Sequence, residues 1–306
     1  MEWEAILIEW IQSNMGGIGA VLGKIFSFIG GERGLLVLLL VVMFCWKKEA
    51  GRRMALVIIA VNAWLPMLKT LVQRPRPYMQ HPDRVKPIAL VDAEAAADDV
   101  AAQGYSFPSQ HSASVPAAYF TLAREGKKRW LGVLAAVLTL LVGLFRVAVG
   151  MHYPTDVLAG WALGFAVLGF FALLERFVPQ DWLRHLIVLV IALPGLFFVR
   201  TAEYFTSLGL LVGIIAAIHY EQRFVRYQDT RNGWAMAVRT LGALVIYFGL
   251  NTLLKLPFDK AYLDSAALGA LLIRTVRYAV IIFVIMGIYP KLFPHFETLG
   301  KRRSAA

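Results

Sequence analysis

Long, continuous apolar runs alternate with short polar segments along this chain. Residues within the runs do not alternate between apolar and polar, as they would in the strands of a membrane barrel. Several runs approach the ~20 residues with which a helix crosses a bilayer. The pattern predicts an all-α, polytopic integral membrane protein with nine spans, at about 31–46, 53–73, 108–124, 130–150, 156–178, 185–200, 205–221, 234–256 and 268–290.

The first thirty residues are less regular, because glycines and Lys24 interrupt their apolar stretches. An interfacial helix pair is the first interpretation of this segment, and a short span is the second. Glu2 and Glu4 are not typical of a cleavable signal peptide, which begins with a basic region. The predicted organisation is an interfacial segment (1–30), a core helix bundle that carries the active site (31–178), and additional spans (179–306).

Composition and charge fit this interpretation. The chain is 58% hydrophobic with a mean hydropathy of +0.62, whereas soluble domains are about 45–50% apolar. The net charge of +11 comes from basic residues clustered in short loops, a pattern typical of cytoplasmic loops rather than of nucleic-acid binding. The basic side, with the C-terminus, is predicted to be cytoplasmic. The single cysteine excludes an internal disulfide and a cysteine-based metal site.

Three polar clusters lie where predicted spans meet loops on the opposite, extracytoplasmic side. They are Lys69 with Arg76-Pro77, the tetrapeptide Pro108-Ser109-Gln110-His111, and Arg146 with His152 and Asp156. Because all three fall on one face of the membrane, they are expected to share a pocket.

The residue types in these clusters predict phosphate chemistry. Asp156 can hold one nitrogen of His152 and leave the other to attack phosphorus, and Pro154 predicts that a helix begins between them. His111, in a first helical turn, can protonate a leaving oxygen. The guanidinium of Arg76 suits phosphate capture, and Arg74 either shares that role or neutralises the acidic 74–107 loop, whose Ala-rich middle predicts a short helix.

A metal site is not predicted, because several cations in the same pocket would repel a divalent ion and replace its electrostatic role. No cofactor is predicted either.

Together the clusters resemble the signature of the type 2 phosphatidic acid phosphatase superfamily, whose pattern is Lys-x6-Arg-Pro, Pro-Ser-Gly-His and Ser-Arg-x5-His-x3-Asp. The resemblance covers about residues 31–178. It implies a metal-independent phosphohistidine mechanism in which His152 attacks, Asp156 assists and His111 acts as acid and then base. It also implies that the phosphate oxygens are bound by Lys69, Arg76, Ser109, the amide near Gln110, and Arg146.

The sequence departs from this family pattern at two positions. Gln110 stands where the family usually has glycine, which is costly only if that residue has a positive φ. Phe145 replaces the serine before Arg146. Neither position is the nucleophile, so activity is still expected.

Charged residues also occur within predicted spans of the C-terminal segment, at Arg239, Arg274 and Arg277. Buried charge in a membrane is costly unless it is paired or lines a polar cavity. Arg274 and Arg277 share a helix face, and they are expected either to pair with Asp259, Asp264 or Glu203, or to form a second site for an anion or lipid headgroup.

The predicted function is hydrolysis of a lipid phosphate monoester or diphosphate among membrane lipids, in a bacterial inner or cell membrane. Candidate substrates are undecaprenyl diphosphate, phosphatidate and phosphatidylglycerophosphate. Three alternatives remain open: a sugar-phosphate phosphatase similar to glucose-6-phosphatase, a lipid phosphotransferase, and a non-catalytic lipid transporter. The transporter alternative rests on the interrupted span at Leu193-Pro194-Gly195, because many transporters contain interrupted helices.

Overall fold

The computed structural model describes residues 2–88 and 96–304 and is 81% helical, with no strand among those residues. Its α-helices are α1 (Glu2–Gly30), α2 (Glu32–Val41), α3 (Lys48–Val72), α4 (Pro77–Gln80), α5 (Val100–Gln103), α6 (Gln110–Gly126), α7 (Arg129–Ala148), α8 (Pro154–Phe177), α9 (Asp181–Ala192), α10 (Gly195–Phe198), α11 (Ala202–Tyr220), α12 (Gly233–Leu253), α13 (Lys260–Asp264), α14 (Leu268–Phe283) and α15 (Phe293–Ser304). π-helical turns follow α2, α11 and α14, at Val42–Trp46, Glu221–Val225 and Val284–Ile288, and a 3-10 turn at Tyr289–Leu292 precedes α15. The all-helical fold class is confirmed.

The chain forms two compact units that are not continuous in sequence. The first contains Met1–Leu35 and Leu65–Arg176, and the second contains Leu36–Trp64 and Phe177–Ala306. The three consecutive segments predicted from the sequence remain a prediction. Residues 1–30 belong to the same unit as the clusters because α1 supplies Ile8 to an apolar core shared with Tyr78, Val147 and Tyr153.

Local sequence explains why the polar clusters lie at helix ends in the first unit. Gln73 adopts the left-handed conformation, φ 52°, directly after α3. Ser109 is the N-cap of α6, and its hydroxyl accepts a hydrogen bond from the backbone N–H of Ser112. Pro154 is the first residue of α8, as predicted from the sequence. Polar side chains of the clusters therefore lie in or beside the end of α3 and the starts of α6 and α8.

Helix α6 has an unusually buried surface of small residues, including Ala113, Ala117 and Ala118. Helix α8 approaches it closely at Gly160, where an added Cβ would lie 2.6 Å from the carbonyl oxygen of Ser109. Because α6 is enclosed by protein, it does not need the apolar surface of a lipid-facing helix.

Eight helices or helix runs are long and apolar enough to cross a membrane among the described residues, so the predicted count of nine is not reproduced. The predicted spans 31–46 and 108–124 are missing from this set, because α2 has 10 residues and α6 has 17. The segment Glu2–Gly30 is added, although Gly16, with φ 56°, divides it into two helical parts.

The long 74–107 loop contains α4 and the short helix α5. Its central residues, among them the acidic Asp92 and Glu94, lie outside the described residues. In the second unit, the predicted interruption at Leu193-Pro194-Gly195 separates α9 from α10.

Candidate active site

The third cluster lies at the start of α8, inside the first unit. His152 precedes the helix and is 2% exposed, while Asp156 lies in the first turn and is completely buried. A carboxylate oxygen of Asp156 accepts a hydrogen bond of 2.8 Å from the backbone N–H of Tyr153, the residue before the helix. Asp156 thus fixes the turn that carries His152, as an acidic residue does in a capping box.

The hydrogen bond that orients His152 differs from the sequence-based expectation. Nδ1 of His152 lies 2.8 Å from the backbone carbonyl oxygen of Ser106, and the nearer carboxylate oxygen of Asp156 is 3.7 Å away. The Ser106 hydroxyl donates to that same carboxylate. A carbonyl can accept only from a protonated Nδ1, so this contact selects the tautomer in which Nε2 carries the lone pair.

Asp156 is held in turn by Arg74 and by the N-terminal helix. Nη1 of Arg74 donates to Asp156 at 2.6 Å and to the Thr155 hydroxyl at 2.7 Å, and Nη2 donates to Glu4 at 2.7 Å. The guanidinium also lies 3.9 Å from the centre of the Tyr153 ring. Arg74 is therefore engaged by two carboxylates, and the acidic loop is not its partner in these contacts.

Glu4 is a completely buried carboxylate. Besides Arg74, it accepts hydrogen bonds from the backbone N–H and the hydroxyl of Thr155, at 3.1 and 2.7 Å. These bonds link the first turn of α1 to the first turn of α8.

Three buried cations accompany the histidines: Lys69, Arg76 and Arg146 are 6%, 2% and 4% exposed. Arg76 is fixed by the backbone carbonyl oxygens of Gln103 and Met151. Nη1 of Arg146 donates to the Ser27 hydroxyl at 3.1 Å, and its buried Nε has no hydrogen-bond partner.

These cations act on His152 electrostatically. Burial, followed by the positive charges of Arg76, Arg146 and Lys69, holds the pKa of His152 well below its usual value. The imidazole is therefore neutral at physiological pH, which is the form that a nucleophile requires. The surrounding positive charge favours an anionic ligand in the same place.

The second cluster begins α6, as predicted. Ser109 is fully buried, whereas Gln110 is half-buried and its side-chain amide lies 3.5 Å from a carboxylate oxygen of Glu32. Gln110 is an ordinary helical residue and not one of the positions with positive φ, so this departure from the family pattern causes no backbone strain.

His111 is half-buried beside the end of α1, where an added Cβ at Gly31 would lie 3.3 Å from its Nε2. Burial lowers the pKa of His111 well below its usual value, and Arg146, His152, Lys69 and Arg76 act electrostatically in the same direction. The structure therefore brings the three clusters together in the first unit. Phe145, the second departure, stacks on Phe26 with ring centres 4.8 Å apart.

Sequence reasoning missed several residues that support this site. Ser106 and Ser27 carry no motif, and Glu4 was treated only as evidence about a signal peptide. The one available signal was that Glu4 and Ile8 are one helical turn apart, which places them on the same face of a helix.

Arg274 and Arg277 lie in the second unit, and the hydrogen bonds described for them go to neutral acceptors rather than to the expected carboxylates. Nη2 of Arg277 donates to the Asn251 amide oxygen at 2.9 Å, and Nη2 of Arg274 donates to the backbone oxygen of Leu263 at 3.3 Å. Arg239 in the same unit is instead paired with Glu297 at 2.8 Å.

Comparisons with known proteins identify related families. Residues 50–179 match the model of the PAP2 superfamily, and residues 205–302 match that of the PAP2 superfamily phosphatase transmembrane extension. No solved structure matches the chain.

Three curated relatives carry phosphatase names. The chain is 28% identical over 192 residues to phosphatidylglycerophosphatase B of Bacillus subtilis, which covers 56% of this chain and 82% of that protein. It is 43% identical over 60 residues to undecaprenyl-diphosphatase of Sulfolobus acidocaldarius, covering 20% of this chain and 29% of the relative. It is 41% identical over 73 residues to lipid A 1-phosphatase of Rhizobium etli, covering 24% and 29%.

Proposed function

Because the chain belongs to the PAP2 superfamily, we propose that it is a membrane lipid phosphatase that works through a phosphohistidine. The observation that carries the proposal is the environment of His152. Its Nδ1 faces the Ser106 carbonyl oxygen, its ring is neutral, and three buried cations surround it. A neutral, oriented imidazole beside positive charge suits attack on a phosphate group.

In the first step, Nε2 of His152 forms a bond to phosphorus while the bond from phosphorus to the leaving oxygen breaks. His111, which the negative charge of the bound phosphate keeps protonated despite its lowered pKa, donates its proton to that oxygen. In the second step, water attacks the phosphohistidine, His111 takes a proton from the water, and the P–N bond breaks to release phosphate and regenerate His152. The two histidines thus alternate as nucleophile and acid–base group.

Charge develops on the phosphoryl oxygens during both steps. Lys69, Arg76 and Arg146 stabilise it, together with Ser109 and the backbone amide near Gln110 at the N-terminus of α6. Asp156, held by Arg74 and Ser106, positions the turn that carries His152. The roles of these residues do not require a metal ion.

The proposed substrate is a lipid phosphate, because a substrate embedded in the bilayer can reach a membrane protein laterally. The names of the relatives support this class, and phosphatidylglycerophosphate and undecaprenyl diphosphate lead the candidates, with phosphatidate beside them. The basic loops identified in the sequence support an active site on the extracytoplasmic side.

The experiment measures phosphate release by the detergent-purified protein in EDTA. The panel contains the three lipid candidates and glucose 6-phosphate, and His152→Ala is the matched inactive variant. We expect release from at least one lipid that is insensitive to EDTA and is lost in His152→Ala. Release confined to glucose 6-phosphate would contradict the lipid assignment, and release that persists in folded His152→Ala would contradict the mechanism.

A further inference from the structure

An apolar cavity of about 640 Å³ lies in the second unit between the end of α12 and α14. Its volume falls within the ~300–1,000 Å³ of typical ligand pockets. Its apolar walls include Leu253, Leu256, Phe258, Leu272, Val276 and Val280.

The walls of this cavity are open to the outside of the protein. Leu256 is 72% exposed and Val276 is 62% exposed. Val276 lies in α14, within a candidate membrane span, so its exposed side chain faces hydrocarbon in a bilayer, whereas Leu256 lies just after α12. A lipid acyl chain is therefore the natural occupant of the apolar part.

A buried positive charge lies at the same cavity. Arg277 lines it with the apolar part of its side chain, is only 5% exposed, and has a buried Nε without a hydrogen-bond partner. Arg274 lies one helical turn earlier, and its buried Nε also has no partner. Among the described residues, their hydrogen-bond acceptors are a neutral amide and a backbone carbonyl, not a carboxylate.

Buried arginines elsewhere in the second unit are compensated. Arg239 pairs with Glu297, and Arg52 pairs with Glu221. Among the described residues of the second unit, Arg277 and Arg274 differ from these arginines in having no carboxylate contact. Because a buried charge without an opposite charge is costly, more so in a membrane, they favour an external anion.

A third cation extends this patch. Lys255 follows α12 with an exposed side chain, and its pKa is lowered by partial desolvation and then by the positive charges of Arg277 and Arg274. Arg277 and Arg274 are thus near enough to Lys255 to act on it electrostatically.

We propose that this cavity binds one anionic phospholipid, with an acyl chain along the apolar wall and its phosphate at Arg277 and Arg274, near Lys255. The site is separate from the catalytic clusters and does not depend on the proposed reaction. It gives the transmembrane extension a specific lipid ligand.

The test is native mass spectrometry of the full chain, delipidated in a neutral detergent and offered equal amounts of phosphatidylglycerol and phosphatidylcholine with the same acyl chains. We expect one phosphatidylglycerol to be retained in preference to phosphatidylcholine. Arg277→Gln should weaken that binding by about tenfold to hundredfold, because it removes a charge-assisted contact. Phosphatidylglycerol held at the catalytic site would not respond to this change.

Two further variants separate the contribution of the positive charge from that of the apolar cavity, and a third variant is a control. Arg277→Lys keeps the charge and should keep the preference, whereas Val280→Trp fills the cavity and should reduce retention of both lipids. Arg200→Gln is the matched control, because Arg200 is exposed and donates only to backbone oxygens of Leu196 and Val199 in the described contacts.

Equal retention of both lipids, or unchanged retention by Arg277→Gln, would overturn the proposal. Displacement of the lipid by millimolar glycerol phosphate would show a site for soluble anions and would overturn the commitment to a lipid. If Arg277→Gln does not fold, unchanged retention by folded Val280→Trp is sufficient to reject the site.

Discussion

Replacing Glu4 by glutamine should impair a site that lies 148 residues further along the sequence, at His152. Glu4 is completely buried and accepts hydrogen bonds from Nη2 of Arg74 and from the amide and hydroxyl of Thr155. Glutamine has nearly the same shape and can still accept from Thr155, but it removes the negative charge opposite Arg74. Of the two carboxylates that contact Arg74 in this cluster, Asp156 then remains.

The expected loss of stability in Glu4→Gln follows from the loss of the charged contact between Glu4 and Arg74. A hydrogen bond between charged groups contributes about 1.5–3 kcal/mol, and removing one partner of a buried pair costs up to about 3–5 kcal/mol. Because glutamine preserves part of the network, we expect the lower range. That corresponds to a fall in the unfolding midpoint of about 3–12 °C. Displacement of Asp156 should lower kcat roughly tenfold to hundredfold with little change in KM.

The assay combines thermal unfolding in detergent with kcat and KM for the preferred lipid. Glu2→Gln is the matched control, since Glu2 lies in the same helical turn but is exposed, and its contact with Arg84 is a 3.5 Å surface pair. Surface pairs contribute about 0–1 kcal/mol. If Glu4→Gln and Glu2→Gln have the same unfolding midpoint and the same kcat, the proposed support of Asp156 by α1 is wrong.

Three further changes test other parts of the site. Gly160→Ala should lower both the unfolding midpoint and kcat, because the new Cβ would meet the Ser109 carbonyl oxygen at 2.6 Å; Gly169→Ala on the same helix meets nothing within 4 Å and should be neutral. Ser106→Ala should lower kcat several-fold at constant KM, because it removes the hydroxyl that holds Asp156 but keeps the carbonyl that faces His152; an unchanged kcat would argue against this contact. Because the pKa of His152 is lowered, its imidazole stays neutral on acidification to pH values well below 6.5. Protonation of His152 should therefore reduce kcat/KM, corrected for substrate ionisation, only well below pH 6.5. An inflection assigned to His152 at or above pH 6.5 would contradict the argument that burial lowers its pKa.

Much of this site could be predicted from the sequence because its residues form short, local patterns. The order and spacing of the three clusters predicted His152, His111 and the cations as site residues, and Pro154 correctly predicted the start of α8. Local spacing could not identify the acceptor for Nδ1 of His152, because that acceptor is a backbone oxygen from a distant loop. The i,i+4 spacing to Asp156 suggested a direct hydrogen bond, where the structure has a shared turn instead.

The membrane topology shows a second limit of sequence reasoning. An apolar run indicates burial but does not distinguish lipid from protein as the surroundings. The predicted span 108–124 corresponds to α6, which has 17 residues, is largely buried against its neighbours, and is not among the eight candidate spans. For the same reason the irregular first thirty residues gave no indication that Glu4 and Ile8 face the interior of the first unit.

The most direct test of the central claim is to trap the covalent intermediate. Purified protein would be mixed with a ³²P-labelled lipid phosphate, quenched in alkali within milliseconds, and digested to locate the label. The account predicts an alkali-stable, acid-labile phosphoryl group on the peptide that contains His152, and no label in His152→Ala. Turnover of the lipid without any labelled peptide in the wild-type protein, or a label on a different residue, would contradict it.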